Sequence, residues 1–282
     1  MNSFQRTIKY IAIGFAVLLA VGIISAIIQV GVIIASVVSG GVAFHKTETV
    51  DFSEAFTNVN SLEVNNTTGQ LTILEGDNFQ VETENVSKNF EAEVTKDGTL
   101  KISDNNKNIN FLWFRFNGIN NPNSKITVYL PKEFIAKEVK LDTGAGNVDI
   151  SGLQTDYLLL SAGAGNMNGT DITAKRAKID GGVGNINLEK VSFQSSDFDC
   201  GVGNLKVEGI LLGRNEFDCG VGDVNLNLTG NIDDYDVKAD AGLGNIRLNG
   251  DKISSEYHNN NNASNSIDID GGLGNVTIEI RQ

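Results

Sequence analysis

One recurring position in this chain carries acidic side chains, which are the groups in the sequence best suited to binding a cation. Six of its seven copies are aspartate: Asp142, Ser161, Asp180, Asp199, Asp218, Asp240 and Asp270. If the copies stack as neighbouring strands, their side chains lie about 5 Å apart. Such carboxylates either share cations or accept hydrogen bonds from corner amides, as Asp does in Asx turns. We expect the second arrangement and no metal site.

Residues 181–188 are similar to the calcium-binding nonapeptide roll. That roll places Asp where this chain has Ile186, and its rung is two nonapeptides rather than 19 residues. Because the departure falls at a ligand position, we predict neither bound calcium nor another cofactor.

The basic residues and histidines do not form a recognisable active site. His45 lies in the flank of the apolar N-terminal segment and His258 lies in a polar loop, so neither a catalytic triad nor a zinc site is expected. Parallel β-helices include polysaccharide lyases, which need bases near acids on one face. The one base cluster on a repeat is Lys175, Arg176 and Lys178. A solvated outer face explains it equally well, so we expect no enzymatic activity, with a lyase as the less favoured alternative.

Two cysteines occupy the same position of adjacent repeats. Cys200 and Cys219 are 19 residues apart, in a column of otherwise small residues. Stacking would bring their Cα atoms within disulfide range, but in-register Cβ vectors run parallel rather than converging. We expect two packed free thiols, and a disulfide is the alternative.

The densest aromatic cluster lies before the repeats. It includes Phe111, Trp113, Phe114 and Phe116. Aromatic rings usually supply core area, so these side chains are expected to fill the core of a cap. The alternative is an exposed patch that binds a glycan, a protein or a membrane surface.

A short sequence motif, called the glycine phrase below, recurs through these residues. In it two glycines flank one residue and are followed by Asn or Asp. The closing residues are Asn147, Asn166, Asn185, Asn204, Asp223, Asn245 and Asn275. The first five are 19 residues apart, and the last two steps are 22 and 30. A fixed short period indicates one unit stacked on copies of itself. We expect the glycines to permit positive φ at a corner and the Asn side-chain amides to stack from rung to rung.

Apolar residues recur in bursts with period two around each phrase, which predicts short strands separated by corners. The pattern places Ile210 and Leu212 among the inward-facing residues and predicts that strand 276–280 closes the far end of the stack. We therefore predict an all-β fold in which residues 136–282 form a parallel β-solenoid of about 19-residue rungs. Residues 47–135 are predicted to form a hairpin-rich N-terminal β cap, which a repeat stack needs to cover its end rung.

The N-terminus predicts the location of the protein. Residues 11–38 contain no charge and are long enough to span a hydrocarbon core of about 30 Å as one transmembrane α-helix. Basic residues precede this segment and acidic residues follow it. The positive-inside rule then makes residues 1–10 a cytoplasmic tail and places the remainder outside the cell membrane. With 22 Lys and Arg against 35 Asp and Glu, the chain is unsuited to binding nucleic acid.

Two segments resemble a known family. Residues 126–131 (ITVYLP) and 139–150 (VKLDTGAGNVDI) resemble the strand, proline and glycine signature of the DUF4097 putative adhesin family. The glycine phrases continue this resemblance to the C-terminus. It implies a bacterial β-solenoid protein with no family catalytic residues to carry over, and some relatives lie near envelope-stress response systems.

Taken together, the anchor, the repeats and the resemblance predict a single-pass membrane protein that displays a β-solenoid outside the cytoplasmic membrane. It would act as an adhesin or as a binding or scaffold module for a cell-wall glycan or envelope protein. The alternative is a regulatory partner of an envelope-stress signalling system.

Overall fold

Parallel pairing between strands about 19 residues apart organises most of this fold. The computed structural model describes residues 49–104, 108–111, 114–117 and 123–282. These residues belong to one unit, Glu48–Gln282. The predicted tail 1–10 and membrane span 11–38 lie outside the described residues. Within the described ranges, no helix is long and apolar enough to cross a membrane.

The strands are numbered in chain order. Those before the glycine repeats are β1 (Thr49–Phe56), β2 (Ser61–Thr68), β3 (Gln70–Gly76), β4 (Phe79–Ser87), β5 (Glu91–Val94), β6 (Thr99–Asp104), β7 (Asn108–Phe111), β8 (Phe114–Asn117) and β9 (Lys125–Pro131). Those around the first five phrases are β10 (Ile135–Ala145), β11 (Val148–Ala164), β12 (Met167–Val183), β13 (Ile186–Phe193), β14 (Ser196–Val202), β15 (Leu205–Leu211), β16 (Arg214–Val221) and β17 (Val224–Thr229). A short 3-10 turn, Ile232–Asp234, precedes the last group, which is β18 (Tyr235–Asp240), β19 (Ile246–Leu248), β20 (Asp251–Lys252), β21 (Glu256–His258), β22 (Asn265–Leu273) and β23 (Val276–Arg281).

Successive repeats lie in register on one another, as the period predicts. Val148 pairs with Met167, and Leu160 pairs with Ile179, between β11 and β12. These two strands each run for 17 residues. The short strands predicted between two successive glycine phrases are therefore joined into one continuous strand. All described strands except β7 and β8 belong to a single sheet, which has a solenoid-like path.

Stacked apolar columns form one continuous core. Val148, Ile186, Leu205 and Val224 repeat one inward position, and all four are buried. A second column contains Phe198 and Phe217 on adjacent rungs, with stacked rings whose centroids are 4.9 Å apart. Each such side chain contributes about 1.5–3 kcal/mol when it is fully buried. Because each rung buries its residues against its neighbours, the stack and not the single rung is the stable unit.

The inward assignment of Ile210 and Leu212 is wrong, because the register shifts between β13 and β15. Val191 lies opposite Gly209, where a bulge displaces the pairing. A shift of one residue moves a side chain to the other face of a strand. Leu211 is consequently buried, whereas Ile210 and Leu212 are exposed.

The N-terminal part contains two rungs in addition to its hairpins. Strand β2 pairs in parallel with β10 and β6, and β3 pairs in parallel with β11 and β9. The rung formed by β6 and β9 therefore lies on the outer side of the rung formed by β2 and β3. In the chain, however, β6 and β9 come after β2 and β3. Antiparallel β5 and β4 cover its outer edges. Architecture thus does not change at the predicted boundary near residue 136.

The last repeat is inserted into the stack instead of closing it. Strand β22 pairs in parallel with both β16 and β18, and β23 pairs with both β17 and β19. The strand predicted to close the stack, residues 276–281, therefore lies between β17 and β19. The prediction that it forms the end of the stack is wrong. Antiparallel β21 and β20 lie along β18 and β19. Both ends of the solenoid are thereby covered by antiparallel strands, which removes open parallel edges.

Candidate binding surface

The corner made by each glycine phrase requires glycine for two physical reasons. In six of the seven phrases the second glycine has a positive φ, as Gly203 shows at 145°, whereas in the sixth phrase the first glycine, Gly242, has it instead, at 54°. A Cβ on Gly203 would also overlap the carbonyl oxygen of Gly184 in the preceding rung. In the other six phrases the first glycine, for example Gly201, has no positive φ, but its Cβ would overlap the backbone of Gly182. In these six phrases the expected positive φ therefore applies to the second glycine, and close packing of rungs explains the first.

The residue that closes each phrase forms a hydrogen-bonded ladder. In the central repeats, the side-chain oxygen accepts a hydrogen bond from the backbone N–H of the equivalent residue one rung on. The backbone donors and their side-chain acceptors are Asn166 to Asn147 (3.0 Å), Asn185 to Asn166 (3.0 Å), Asn204 to Asn185 (2.9 Å), Asp223 to Asn204 (2.9 Å) and Asn275 to Asp223 (2.8 Å). The ladder follows the spatial order of the rungs and passes from Asp223 directly to Asn275.

This pattern differs from the predicted stacking of side-chain amides. Among the described residues, bonds between two side chains of the ladder occur at its C-terminal end, where Asn245 Nδ2 donates to Asn275 Oδ1 (3.4 Å) and Asn275 Nδ2 donates to Asp223 Oδ1 (3.3 Å). Elsewhere the ladder needs an acceptor oxygen and not an amide donor. A carboxylate supplies that oxygen, which explains why Asp223 can replace Asn.

The residue between the two glycines forms an exposed apolar ridge. Its members with a large exposed fraction are Val183 (58%), Val202 (50%), Val221 (44%), Leu273 (49%) and Leu243 (79%). The first four pair in unbroken register on consecutive rungs. A bridge between Gly242 and Leu273 brings Leu243 beside them. At about 4.8 Å per strand, the four paired side chains extend over about 14 Å.

The columns on either side of this ridge are glycine, so its immediate neighbours along each strand carry no side chain. The sequence contained the signal for it: the enclosed residue is Ala145 and Ala164 in the first two phrases and then Val or Leu in the rest. A solvent-facing position that stays apolar through every repeat is a candidate contact site. The sequence pattern suggested only that this residue belongs to the corner, so the ridge was not predicted.

The acidic column lies on the same rungs as the ridge. Its aspartates are in register on consecutive strands in the order Asp180, Asp199, Asp218, Asp270 and Asp240, and Glu256 follows on β21. The expected bond to a corner amide is present at Asp240, whose Oδ1 accepts from Gly242 N at 2.7 Å. Asp180 instead lies 3.6 Å from Lys178 Nζ.

The remaining aspartates of this column face solvent. Asp199, Asp218 and Asp270 are exposed; in the described part of the chain no hydrogen bond or ion pair to their carboxylates is seen, although Lys238 lies near enough to Asp270 for an electrostatic interaction. Within those same residues, no group of three His, Cys, Asp or Glu side chains is placed to hold a metal ion. The surface therefore presents a row of carboxylates, then bare glycine backbone, then the apolar ridge.

The base cluster considered for a lyase is used in contacts between rungs. Lys175 Nζ lies 2.6 Å from Asp156 Oδ1, and Lys178 Nζ lies 3.2 Å from Asp197 Oδ2. The Arg176 guanidinium lies over the Tyr157 ring, 5.1 Å from its centroid. Of the two histidines, His258 is exposed on β21 opposite Lys238, and His45 lies outside the described residues.

The two cysteines are in-register neighbours on β14 and β16. Both thiols are free and buried, so the disulfide alternative is not the state of this structure. The pKa of the Cys200 thiol is raised above its usual range. The larger cause is a hydrogen bond with the Cys219 thiol, and the second is burial. Cys200 is therefore a weak nucleophile, because the thiolate is the reactive form.

Part of the aromatic cluster lies on a separate hairpin formed by β7 and β8. In that pair Phe111 is opposite Phe114, and Ile109 is opposite Phe116. Trp113 lies outside the described residues. The hairpin is a two-stranded sheet of its own, so its backbone is not part of a rung.

Comparisons with known proteins place this architecture in a family. The model of the Toastrack DUF4097 family matches residues 59–253. A search of curated proteins finds no match. Among solved structures, a putative cell adhesion protein from Clostridium sporogenes is 18% identical, with 83% of this chain and 100% of that chain covered and a TM-score of 0.38.

A putative adhesin from Bacteroides fragilis is 16% identical, with 83% of this chain and 98% of that chain covered and a TM-score of 0.43. The family match begins just before β2 and ends just after β20, and it includes the two N-terminal rungs and six of the seven glycine phrases. It covers well over half of the sequence, and the chain belongs to the Toastrack DUF4097 family.

Proposed function

We propose that this chain is a non-enzymatic binding module of the bacterial cell envelope, in which residues 11–38 anchor the solenoid outside the cytoplasmic membrane. The observation that carries the proposal is the apolar ridge of Val183, Val202, Val221, Leu273 and Leu243. These side chains are exposed beside a row of carboxylates, and the first four are in register on consecutive rungs. The repeats maintain this surface, although none of its side chains contributes to the core.

The partner that fits this surface is a protein segment that presents apolar side chains next to Lys or Arg. The apolar side chains would cover the ridge and the adjacent glycine backbone. The basic side chains would meet Asp199, Asp218 and Asp270, which face solvent on the same rungs. A chain with a formal net charge of −13 attracts such a partner over long range as well.

The energetics suit a weak, multivalent contact. Fully burying one Val or Leu contributes about 1.5–3 kcal/mol, so a half-exposed ridge residue contributes about 1 kcal/mol when a partner covers it. Five such residues supply about 5 kcal/mol, which is below the roughly 8 kcal/mol of a micromolar complex. The carboxylates must supply the remainder and would make the association sensitive to salt.

A designed probe tests the ridge directly. The full chain is titrated with a labelled peptide of alternating Val and Lys, and with a matched peptide of alternating Val and Glu, while fluorescence anisotropy is recorded. We expect the Lys peptide to bind and the Val202→Ser, Val221→Ser double variant to weaken this binding at least fivefold. Ile135→Ser is the control, because Ile135 is 61% exposed and lies off the ridge. Equal binding of both peptides, or an equal loss in the control, would refute the proposal.

Two further measurements test the anchor and the absence of catalysis. Protease treatment of intact cells should remove the solenoid, and membrane fractions should retain the full chain. Incubation with acidic polysaccharides should release no unsaturated product. Retention of the solenoid in the protected cytoplasmic fraction would contradict the predicted orientation, and a lyase product would contradict the non-enzymatic proposal.

A further inference from the structure

A hairpin at the C-terminal end of the stack places two cations directly opposite each other. Strands β19 and β20 pair so that Arg247 faces Lys252. Asn249 and Gly250 connect them, with φ angles of 50° and 92°, which are the two positive values of a type I′ turn. Asn249 Oδ1 also accepts a hydrogen bond from Ile280 N at 2.8 Å. The hairpin therefore places Arg247 and Lys252 opposite each other on neighbouring strands, and β19 pairs in parallel with β23.

This pair of cations differs from the lysines on several other rungs, which are paired with acids. Elsewhere, lysines face acids across neighbouring strands: Lys101 with Glu63 (3.2 Å), Lys178 with Asp197 (3.2 Å) and Lys238 with Asp268 (2.9 Å). Arg247 and Lys252 form no ion pair with any described residue. Like charges directly opposite each other destabilise a sheet. An anion bound between them would remove that cost.

The two cations line a depression of about 280 Å³ together with polar residues of three rungs. The other residues that line it are Asp223, Asn225, Asn245, Asn275 and Thr277. The Asp223 carboxylate already accepts hydrogen bonds from the Asn275 backbone (2.8 Å) and side chain (3.3 Å). Its charge is thus partly satisfied within the ladder, whereas the guanidinium and ammonium groups are available to a ligand.

We propose that this depression binds the oxyanion of an acidic sugar, either the carboxylate of a uronic acid or the phosphate of a sugar phosphate. Arg presents a planar fork that matches carboxylate and phosphate oxygens. The amide and hydroxyl groups of Asn225, Asn245 and Thr277 can donate to and accept from sugar hydroxyls. The volume is at the small end of ligand sites, which suits one charged sugar. This site is separate from the ridge and does not depend on the protein partner proposed above.

Calorimetric titration of the full chain at low ionic strength tests the proposal. The probes are glucuronic acid, glucose 6-phosphate, neutral glucose and inorganic phosphate. We expect binding of one or both of the acidic sugars and none of glucose, and the two acidic probes distinguish the carboxylate source from the phosphate source. Arg247→Gln and Lys252→Gln should each weaken binding about tenfold or more, because a hydrogen bond to a charged group contributes about 1.5–3 kcal/mol.

Lys132→Gln is the matched control, because it neutralises an exposed lysine outside the depression. Thermal unfolding without ligand checks the fold: both site variants should unfold at or above the temperature of the unsubstituted chain, since they remove a repulsion. Binding of neither acidic sugar would overturn the proposal. So would equal binding of glucose, equal binding of inorganic phosphate alone, or an equal loss in the Lys132 variant.

Discussion

The corner glycines make the most stringent prediction about this fold, and Gly203 is the best position at which to test it. Its φ of 145° is a conformation that residues with a side chain rarely adopt. A Cβ there would overlap the Gly184 carbonyl oxygen of the preceding rung. Gly203→Ala must therefore either strain the backbone or push two rungs apart.

The magnitude follows from these two costs. Backbone strain in a sparsely populated region costs about 1–3 kcal/mol. Moving the corner away from Gly184 also weakens the bonds that join these two rungs, including Gly184 N to Val202 O (2.9 Å) and Asn204 N to Asn185 Oδ1 (2.9 Å). At about 1 kcal/mol for each bond, the expected destabilisation is about 3–5 kcal/mol. For a unit of this size, each kcal/mol lowers the melting temperature by about 2–4 °C.

The assay is urea and thermal unfolding of the full chain followed by far-UV circular dichroism. Gly250→Ala is the control, because Gly250 also has a positive φ, at 92°, but a Cβ there would meet nothing within 4 Å. Gly250→Ala should lower the free energy of unfolding only through backbone strain, by about 1 kcal/mol. If Gly203→Ala loses less than about 1 kcal/mol, or no more than the control does, the close-packing argument is wrong.

Two other predictions concern hydrogen bonds. Asn166→Ala should lower the free energy of unfolding by about 1 kcal/mol, because the side-chain oxygen of Asn166 accepts from Asn185 N (3.0 Å). Asn166→Asp keeps that acceptor and should stay within about 0.5 kcal/mol; an equal loss in both variants would indicate that the amide group is required. Asp104 is fully buried, and desolvation raises the pKa of its carboxyl despite a hydrogen bond from Ser87 N (3.1 Å). The folded protein therefore favours the protonated form of the Asp104 carboxyl. The stability that this form contributes is present below the pKa of the unfolded state and is lost as the pH rises through the higher pKa of the folded state. Urea midpoints between pH 4 and 7 should decline less for Asp104→Asn than for the unsubstituted chain, and parallel profiles would contradict the assignment.

The period of the repeats was sufficient to predict parallel stacking and most of the core. Equivalent apolar residues at 19-residue intervals can all be buried only if they lie above one another, and the pairing of Val148 with Met167 shows this directly. The bulge at Gly209 was not predictable in the same way. A bulge depends on how two particular strands fit, and the apolar pattern near Ile210 and Leu212 suited both registers.

The candidate surface was predicted only in part. The acidic column and the Asn ladder could be predicted from the sequence, because both consist of chemically distinctive residues at a fixed spacing. It missed the exposed ridge, because an apolar residue between glycines looks the same in sequence whether it faces the core or the solvent. It also could not place Arg247 opposite Lys252, since that pairing depends on the hairpin at Asn249 and Gly250.

The sequence by itself determined that this chain stacks repeated strands, and that glycine forms each corner where rungs approach closely. The tertiary structure alone decided the order of the rungs. Every rung presents the same columns to its neighbours, so the period is satisfied equally whether β22 follows β18 or lies between β16 and β18 as observed. The long 30-residue step before the last phrase supplies the chain needed for that return path. Only the full set of contacts at the two ends, where antiparallel strands cover the edges, selects one order.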